Sequence, residues 1–197
     1  MVASVGYLAV AIVSPVEAQR GGGDSPVRIT VDARPIATFS VGASDQRRFG
    51  KVEYLGGLDL KSSYSDFGGF SAIRVAPDGE HFVSLTDKGR WLTARIVHEG
   101  DRPIGIADAI MAPMLGPDGR TLAGRGWYDT ESLAERDGWL YVGIERVNRI
   151  VRFDFARHGV LARAEVVSAP PASHVCPTTR VSRRSRSRRA TASSPGP

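Results

Sequence analysis

Short apolar runs that alternate with polar positions recur along this chain, each bounded by Gly, Pro or Asp. Phe70-Ser71-Ala72-Ile73-Arg74-Val75 leads into Ala76-Pro77-Asp78-Gly79 and then His81-Phe82-Val83-Ser84-Leu85-Thr86. A period of two over six residues marks a strand with one buried face, and Pro followed by Asp-Gly supplies the dihedrals of a tight turn. The run from Gly68 to Gly89 therefore predicts strand, turn and strand, closed by the polar cluster Thr86-Asp87-Lys88-Gly89. Trp91 to His98 and Ile104 to Met111 predict a second hairpin about Glu99-Gly100-Asp101.

A weaker copy follows about 60 residues later. It pairs Ser132-Leu133-Ala134 with Leu140 to Ile144 about Asp137-Gly138, and Arg149 to Phe155 then matches the strand at Trp91 to Arg95. Four antiparallel strands in succession make one propeller blade, and repeats of this length built from short strands point to the same architecture. The expected fold is all-β: a partial β-propeller of about two to three blades over residues 27–172, followed by a disordered basic C-terminal tail over 173–197. Further strands are expected at Val27–Val31, Ala37–Val41, Val52–Leu60 and Val160–Val167, with Pro113–Arg125 as a loop over one end. Trp91, Trp127 and Trp139 are expected to pack between blades.

Both ends differ in texture from this body. Residues 1–18 carry the apolar run Val5–Val13 and then Val16-Glu17-Ala18, a small-x-small site before Gln19. The run is too short to span a membrane and reads as a signal peptide, although no Lys or Arg precedes it. The expected location is periplasmic or secreted, with residues 19–26 as a Gly-rich linker. The net charge of +5 belongs to the tail, where the six arginines after His174 outweigh a body at −1. The body therefore offers no basic footprint, and no nucleic-acid partner is expected; a basic arm binding nucleic acid through the Arg/Ser tail is the third alternative. No stable membrane span is expected either.

The tail also has an internal explanation. Back-translated with GC-rich codons from Val175 and read in a shifted frame, it contains Glu-Ala-Leu-Ala-Val-Ala-Pro-Arg-Asp-Gly. That is a third copy of Ser71–Gly79 and of Glu131–Gly138, so a frameshift near residues 168–175 is expected. A half-propeller would also leave strand edges unpaired, and such a chain is expected to express poorly or aggregate.

Candidate chemistry follows from the hairpins. The start of a first strand lies beside the end of the second. Asp66 and Ser71 should thus sit near Thr86-Asp87-Lys88, and Asp129 and Glu131 near Glu145-Arg146. Asp87, Asp129, Glu131 and Glu145, with Lys88 and Arg146, would line one mouth of the propeller. Carboxylates so gathered bind hard cations such as Ca²⁺, and Lys and Arg receive phosphate oxygens. Each residue also has a plain structural role: Asp87-Lys88-Gly89 as a turn, and Glu145-Arg146 as a surface ion pair of small value. Cys176 is the only cysteine, the four histidines are scattered, and no nucleophile elbow or phosphate-loop spacing occurs.

Gly68–Ile73, Leu85-Thr86-Asp87-Lys88-Gly89, Asp129-Thr130-Glu131-Ser132-Leu133 and Ile144-Glu145-Arg146 resemble the phytase-like family, described as having esterase-like activity of phytase. The resemblance covers roughly residues 49 to 167, with the shifted-frame segment beyond. It implies an exported bacterial β-propeller whose repeated Asp and Glu carry hydrolytic activity. On that resemblance Asp87, Glu131 and Glu145 are the expected catalytic carboxylates; the gathered charges make Lys88 and Arg146 the expected substrate-binding cations and Asp87, Asp129 and Glu131 the expected ligands of a Ca²⁺ ion. The expected partner is a small-molecule ester or phosphoester. Two departures stand out: the chain has about half the family's length, and Thr86-Asp87-Lys88 replaces the commoner Ser-Asp-Arg, which keeps the charge but not a bidentate fork. The expected protein is a hydrolase, inactive in this truncated form; the alternative is a periplasmic propeller that binds a ligand or partner without turning it over.

Overall fold

The computed structural model describes residues 23–40, 42–43 and 45–167. The expected signal peptide and the expected disordered tail lie outside them. Five short strands come first: β1 (Val27–Arg28), β2 (Asp32–Ile36), β3 (Arg48–Phe49), β4 (Val52–Glu53) and β5 (Gly57–Lys61). β6 (Phe70–Val75), β7 (His81–Thr86), β8 (Arg90–Glu99) and β9 (Arg102–Pro113) then pair antiparallel in chain order, with β1 added on the outer edge of β9. The second unit repeats the order with β10 (Thr130–Arg136), β11 (Trp139–Ile144), β12 (Arg149–Asp154) and β13 (Glu165–Val167). β2 with β5, and β3 with β4, form separate two-stranded ribbons. Among the described residues the architecture is the expected one: all-β, two blade-like sheets and no closed barrel. Among the described residues no helix is long and apolar enough to cross a membrane.

The two hairpin turns form for different local reasons. At Asp137-Gly138 both residues have positive φ, +52° and +79°, the requirement of a two-residue turn that matches strand twist. In the first unit the Gly79 amide donates to Ala76 O at 3.0 Å, and Asp78 Oδ1 accepts from the amides of Glu80 and His81 at 2.9 and 3.0 Å. Asp78 Oδ2 also meets His81 Nδ1 at 2.7 Å.

β7 shows how alternation becomes packing. Val83 and Leu85 face the second sheet and join a core of Trp91, Met114, Leu140, Val142, Val151 and Phe153. Phe82, on the opposite face, joins Leu92, Met111, Ile29 and Tyr64 in a second core. The first sheet is therefore apolar on both faces, and five successive residues of β7, Phe82–Thr86, are buried. Trp91 is fully buried between the sheets, edge-on to Phe153 at 5.1 Å and to Phe155 at 5.4 Å between ring centroids. Trp127 lies only half-buried at the margin of this core. Trp139 lies outside it, beneath the Arg152 guanidinium at 4.3 Å. Of the three tryptophans expected between blades, Trp91 is there, Trp127 packs against the edge of the same core, and Trp139 is not among its residues.

Several boundaries differ from expectation. The strand expected at Ala37–Val41 lies earlier, at β2, where it pairs with β5; Val41 is outside the described residues. The run Val52–Leu60 is broken into β4 and β5 at Tyr54–Gly56, where the Tyr54 hydroxyl donates to Ile36 O at 2.7 Å. Gly56 packs on Pro103, and a methyl group there would lie 2.9 Å from its Cδ. The strand expected at Val160–Val167 shrinks to β13. Asp154 accepts from the Arg157 amide at 3.3 Å and starts a four-residue helical turn, α1 (Phe155–His158), followed by a 3-10 turn at Gly159–Leu161. The 3-10 turn takes Val160 and Leu161, and the strand begins only at Glu165. The loop expected at Pro113–Arg125 is present, tied by bridges from Leu115 to Thr121 and Arg163 and ending in a 3-10 turn at Ala123–Arg125.

Trp91→Ala should remove the ring that fills the space between the sheets and cost about 3–5 kcal/mol, read from a chemical denaturation midpoint. The Asp78 carboxyl is held down to about 2 by the His81 hydrogen bond first and the Glu80 and His81 amides next. A depressed carboxyl contributes fully above its unfolded value and loses that contribution as pH falls through the folded one. Asp78→Asn should therefore flatten the part of the acid limb between about pH 4 and pH 2, checked by denaturation midpoints across that window.

Candidate functional site

One end of the two sheets is organised by a strip of backbone hydrogen bonds. The Asp87 amide donates to Gly69 O at 2.8 Å, the Asp129 amide to Asp87 O at 2.6 Å, and the Glu145 amide to Asp129 O at 2.9 Å. The middle bond crosses from the first unit to the second. Beside it the Thr130 hydroxyl donates to Thr86 O, and both threonines are fully buried. The expected convergence of Asp87, Asp129 and Glu145 at one mouth is thus met by their backbones.

Asp87 begins the β7–β8 turn, so its plain role as a turn residue is real. Its side chain nevertheless folds back over Gly69. A methyl group on Gly69 would overlap Asp87 Oδ1 and stand 2.7 Å from its Cγ. Gly69 has φ +60°, so glycine serves there both for backbone hand and for space. Half-buried Asp87 has a buried Oδ1 without a hydrogen-bond partner. A buried acceptor left unpaired is costly, and such groups mark functional or solvent-bridged positions.

Asp66 reaches the same turn, as expected. It lies 2.7 Å from Arg90 Nε and 3.9 Å from Lys88 Nζ. The Arg90 contact is largely buried, while Lys88 is exposed, its ammonium tethered loosely on the Asp66 side. The Ser71 hydroxyl turns instead to Gly69 O, at 3.5 Å.

The second unit repeats the strip with different side chains. Asp129 stands where Gly69 stands in the first unit, and its φ of +69° preserves the left-handed backbone that Asp tolerates better than most residues. Register slips at Ser71 in β6 and at Glu131 in β10, so each is the extra residue of a bulge. Bulges re-aim side chains at strand ends. Glu145 corresponds to Asp87 but is exposed, as is Glu131. Of the four expected carboxylates, only Asp87 and Glu145 occupy equivalent places in the two units.

Arg146 does not pair with its neighbour Glu145. Its guanidinium lies over the Tyr128 ring at 4.2 Å. Arg125 and Arg149 lie 4.7 and 5.1 Å from the Trp127 ring centroid. The Trp127 backbone in turn flanks the Asp87–Gly89 turn, its carbonyl 3.7 Å from where a Gly89 methyl would be. Tyr128 and Arg149 are not among the site residues expected from the sequence, and Trp127 is expected there only to pack between blades; the adjacent pair Trp127-Tyr128 just before Asp129 is the signal that could have found them. Among the described residues no three His, Cys, Asp or Glu side chains come close enough to hold a metal ion. Of the carboxylates named for Ca²⁺, Asp87 and Asp129 are joined through their backbones, and the three form no ready-made cage.

Gly69→Ala should strain a left-handed position and push Asp87 away, costing about 1–2 kcal/mol from the backbone alone. In an Asp87→Ala background the same change should cost less, because the overlap is gone. A double-mutant cycle on denaturation midpoints measures the difference.

No curated protein matches the chain, and no solved structure matches it. A family model does: the phytase-like model, described as esterase-like activity of phytase, matches residues 65–191. The match begins just before Asp66, later than the residue near 49 where the resemblance was expected to start, and contains every candidate site residue. Nearly two thirds of the chain lies within it, and with both blade-like units and the Asp87–Asp129–Glu145 strip inside the matched span, the chain belongs to the phytase-like family.

Proposed function

We propose that the mouth at Asp87 is the hydrolytic site of a phytase-like enzyme acting on small-molecule phosphoesters or related esters. The observation that carries this reading is the buried, unpartnered Oδ1 of Asp87, held in place by Gly69 and joined to Asp129 and Glu145 by the backbone strip. A carboxylate oxygen with no internal donor keeps its capacity for one from a water or a substrate hydroxyl once the side chain turns that buried oxygen toward the mouth. In the proposed reaction Asp87 accepts a proton from water as its oxygen attacks the ester, and the bond to the leaving alkoxide breaks. Glu145 or Glu131, both exposed at the same end, returns a proton to that alkoxide. Lys88 receives the oxyanion at the bond that is cut and Arg146 another oxyanion of the same substrate, since ionised hydrogen bonds are the stronger class. Asp129 and Glu131 with Asp87 are the carboxylates a Ca²⁺ ion would use, and they would have to draw closer together than they stand. No step is routed through that ion.

The proposal places turnover in the protein with the reading frame restored beyond residue 168, and none in the 197-residue chain, where the third unit is out of frame. Export to the periplasm or beyond remains part of the proposal. Frame-restored protein should hydrolyse a chromogenic phosphoester, measured with EDTA and with added Ca²⁺. Asp87→Asn should lower kcat by about 10²-fold, with an unchanged melting transition. Full activity in Asp87→Asn would remove Asp87 from the mechanism. Saturable binding of the ester without any turnover, in either ion condition, would assign the non-enzymatic alternative.

A further inference from the structure

We infer that Arg146 and Arg149 form an oxyanion-anchoring pair, held by Tyr128 and Trp127, which selects esters carrying a phosphate or carboxylate group apart from the bond that is cut. Four observations lead there. Arg146 and Arg149 are exposed, and neither appears in any ion pair among the described residues. Each guanidinium instead lies against an aromatic ring, Arg146 on Tyr128 at 4.2 Å and Arg149 on Trp127 at 5.1 Å. Arg125, the other cation at Trp127, is already committed to Asp118. Arg146 also directly follows Glu145, whose amide belongs to the strip that leads to Asp87.

The chemistry follows from guanidinium geometry. A ring engages the guanidinium near its plane of charge, while the N–H donors lie at the edges and stay available. Stacking therefore restrains the side chain without consuming the donors, and an Arg with restrained donors loses less freedom when it meets a planar or tetrahedral oxyanion. Arg146 lies within the Glu145–Asn148 turn that joins β11 to β12, and Arg149 is the first residue of β12. One short turn and the strand residue after it thus carry both arginines close in the chain to Glu145, the last member of the strip. Carboxylates on one side and unpaired guanidiniums on the other divide the labour: the first handles the water, the second the remote anion of the substrate. A neutral ester gains nothing from the second half.

The substrate in this inference is that of the proposed hydrolase, but the anchoring pair is tested without turnover, on the 197-residue chain. Inorganic phosphate, and acetate in a parallel series, are titrated at constant ionic strength while the Arg Nε–H resonances are followed by NMR. Saturable shifts at Arg146 and Arg149 are expected with phosphate, acetate or both. Arg146→Ala and Arg149→Ala should each weaken that affinity about tenfold. Arg146→Lys should not restore it, because an ammonium lacks the stacked fork. Tyr128→Phe, which keeps the ring, should bind as the parent does, and Tyr128→Leu should bind more weakly with an unchanged melting transition. Arg120→Ala, which removes a surface arginine on Asp118, serves as the control and should change nothing. Parent-like affinity in Arg146→Ala and Arg149→Ala, parent-like affinity in Tyr128→Leu, or shifts produced by duplex DNA but by neither small anion would each overturn the inference. A chain that binds the anions while its frame-restored form hydrolyses nothing would keep the anchoring pair and sink the hydrolase reading alone.

Discussion

The contact between the two sheets is what the rest of the molecule depends on. Trp91 and Leu85 from the first sheet meet Phe153, Val142 and Val151 from the second, and all five are fully buried. The edge-on approach of Trp91 to Phe153 and Phe155 lets one large side chain touch two rings at once. Area removed from water there sets the spacing of the sheets. That spacing places Thr86 beside Thr130 and Asp87 beside Asp129, so the polar strip at the mouth is a consequence of the apolar contact below it.

Two ends of the same pair of sheets have opposite characters. At the hairpin-turn end, Arg74 of β6 pairs with Glu135 of β10 at 2.9 Å, and the groove around them is walled by Phe82, Leu140 and Phe155. There the charges satisfy one another. At the other end, among the described residues, Asp87 Oδ1 lacks a donor and Arg146 and Arg149 lack acids. Polar groups left with spare hydrogen-bonding capacity are the ones able to meet a ligand, which is why the functional reading rests on this end.

Much of the fold was legible before any coordinates, and the reasons are local. Pro77-Asp78-Gly79 and Asp137-Gly138 specify their turns through backbone dihedrals, and the alternation in β6, β11 and β12 specifies which residues face inward. The failures are also local in cause. Ala37–Val41 reads as a strand by pattern, yet nothing in the pattern says which neighbour offers an edge, and β5 pairs with Asp32–Ile36 instead. Val160–Val167 reads as a strand, yet a 3-10 turn takes Val160 and Leu161.

The candidate site divides along the same line. Residue types and hairpin geometry alone named Asp87, Asp129, Glu131, Glu145, Lys88 and Arg146, because antiparallel pairing brings known positions together within one hairpin. They also determined that acids and cations would share one end of each unit. Only the tertiary structure decided which of these side chains is special. Asp87 is pressed onto Gly69 while Glu145, its counterpart, stays exposed; Arg146 leaves Glu145 for Tyr128; and Arg149 joins Trp127. Those outcomes turn on distances between separate elements and on the presence or absence of a single Cβ at position 69. Such quantities arise from packing across the sheets, and no period in a linear pattern encodes them.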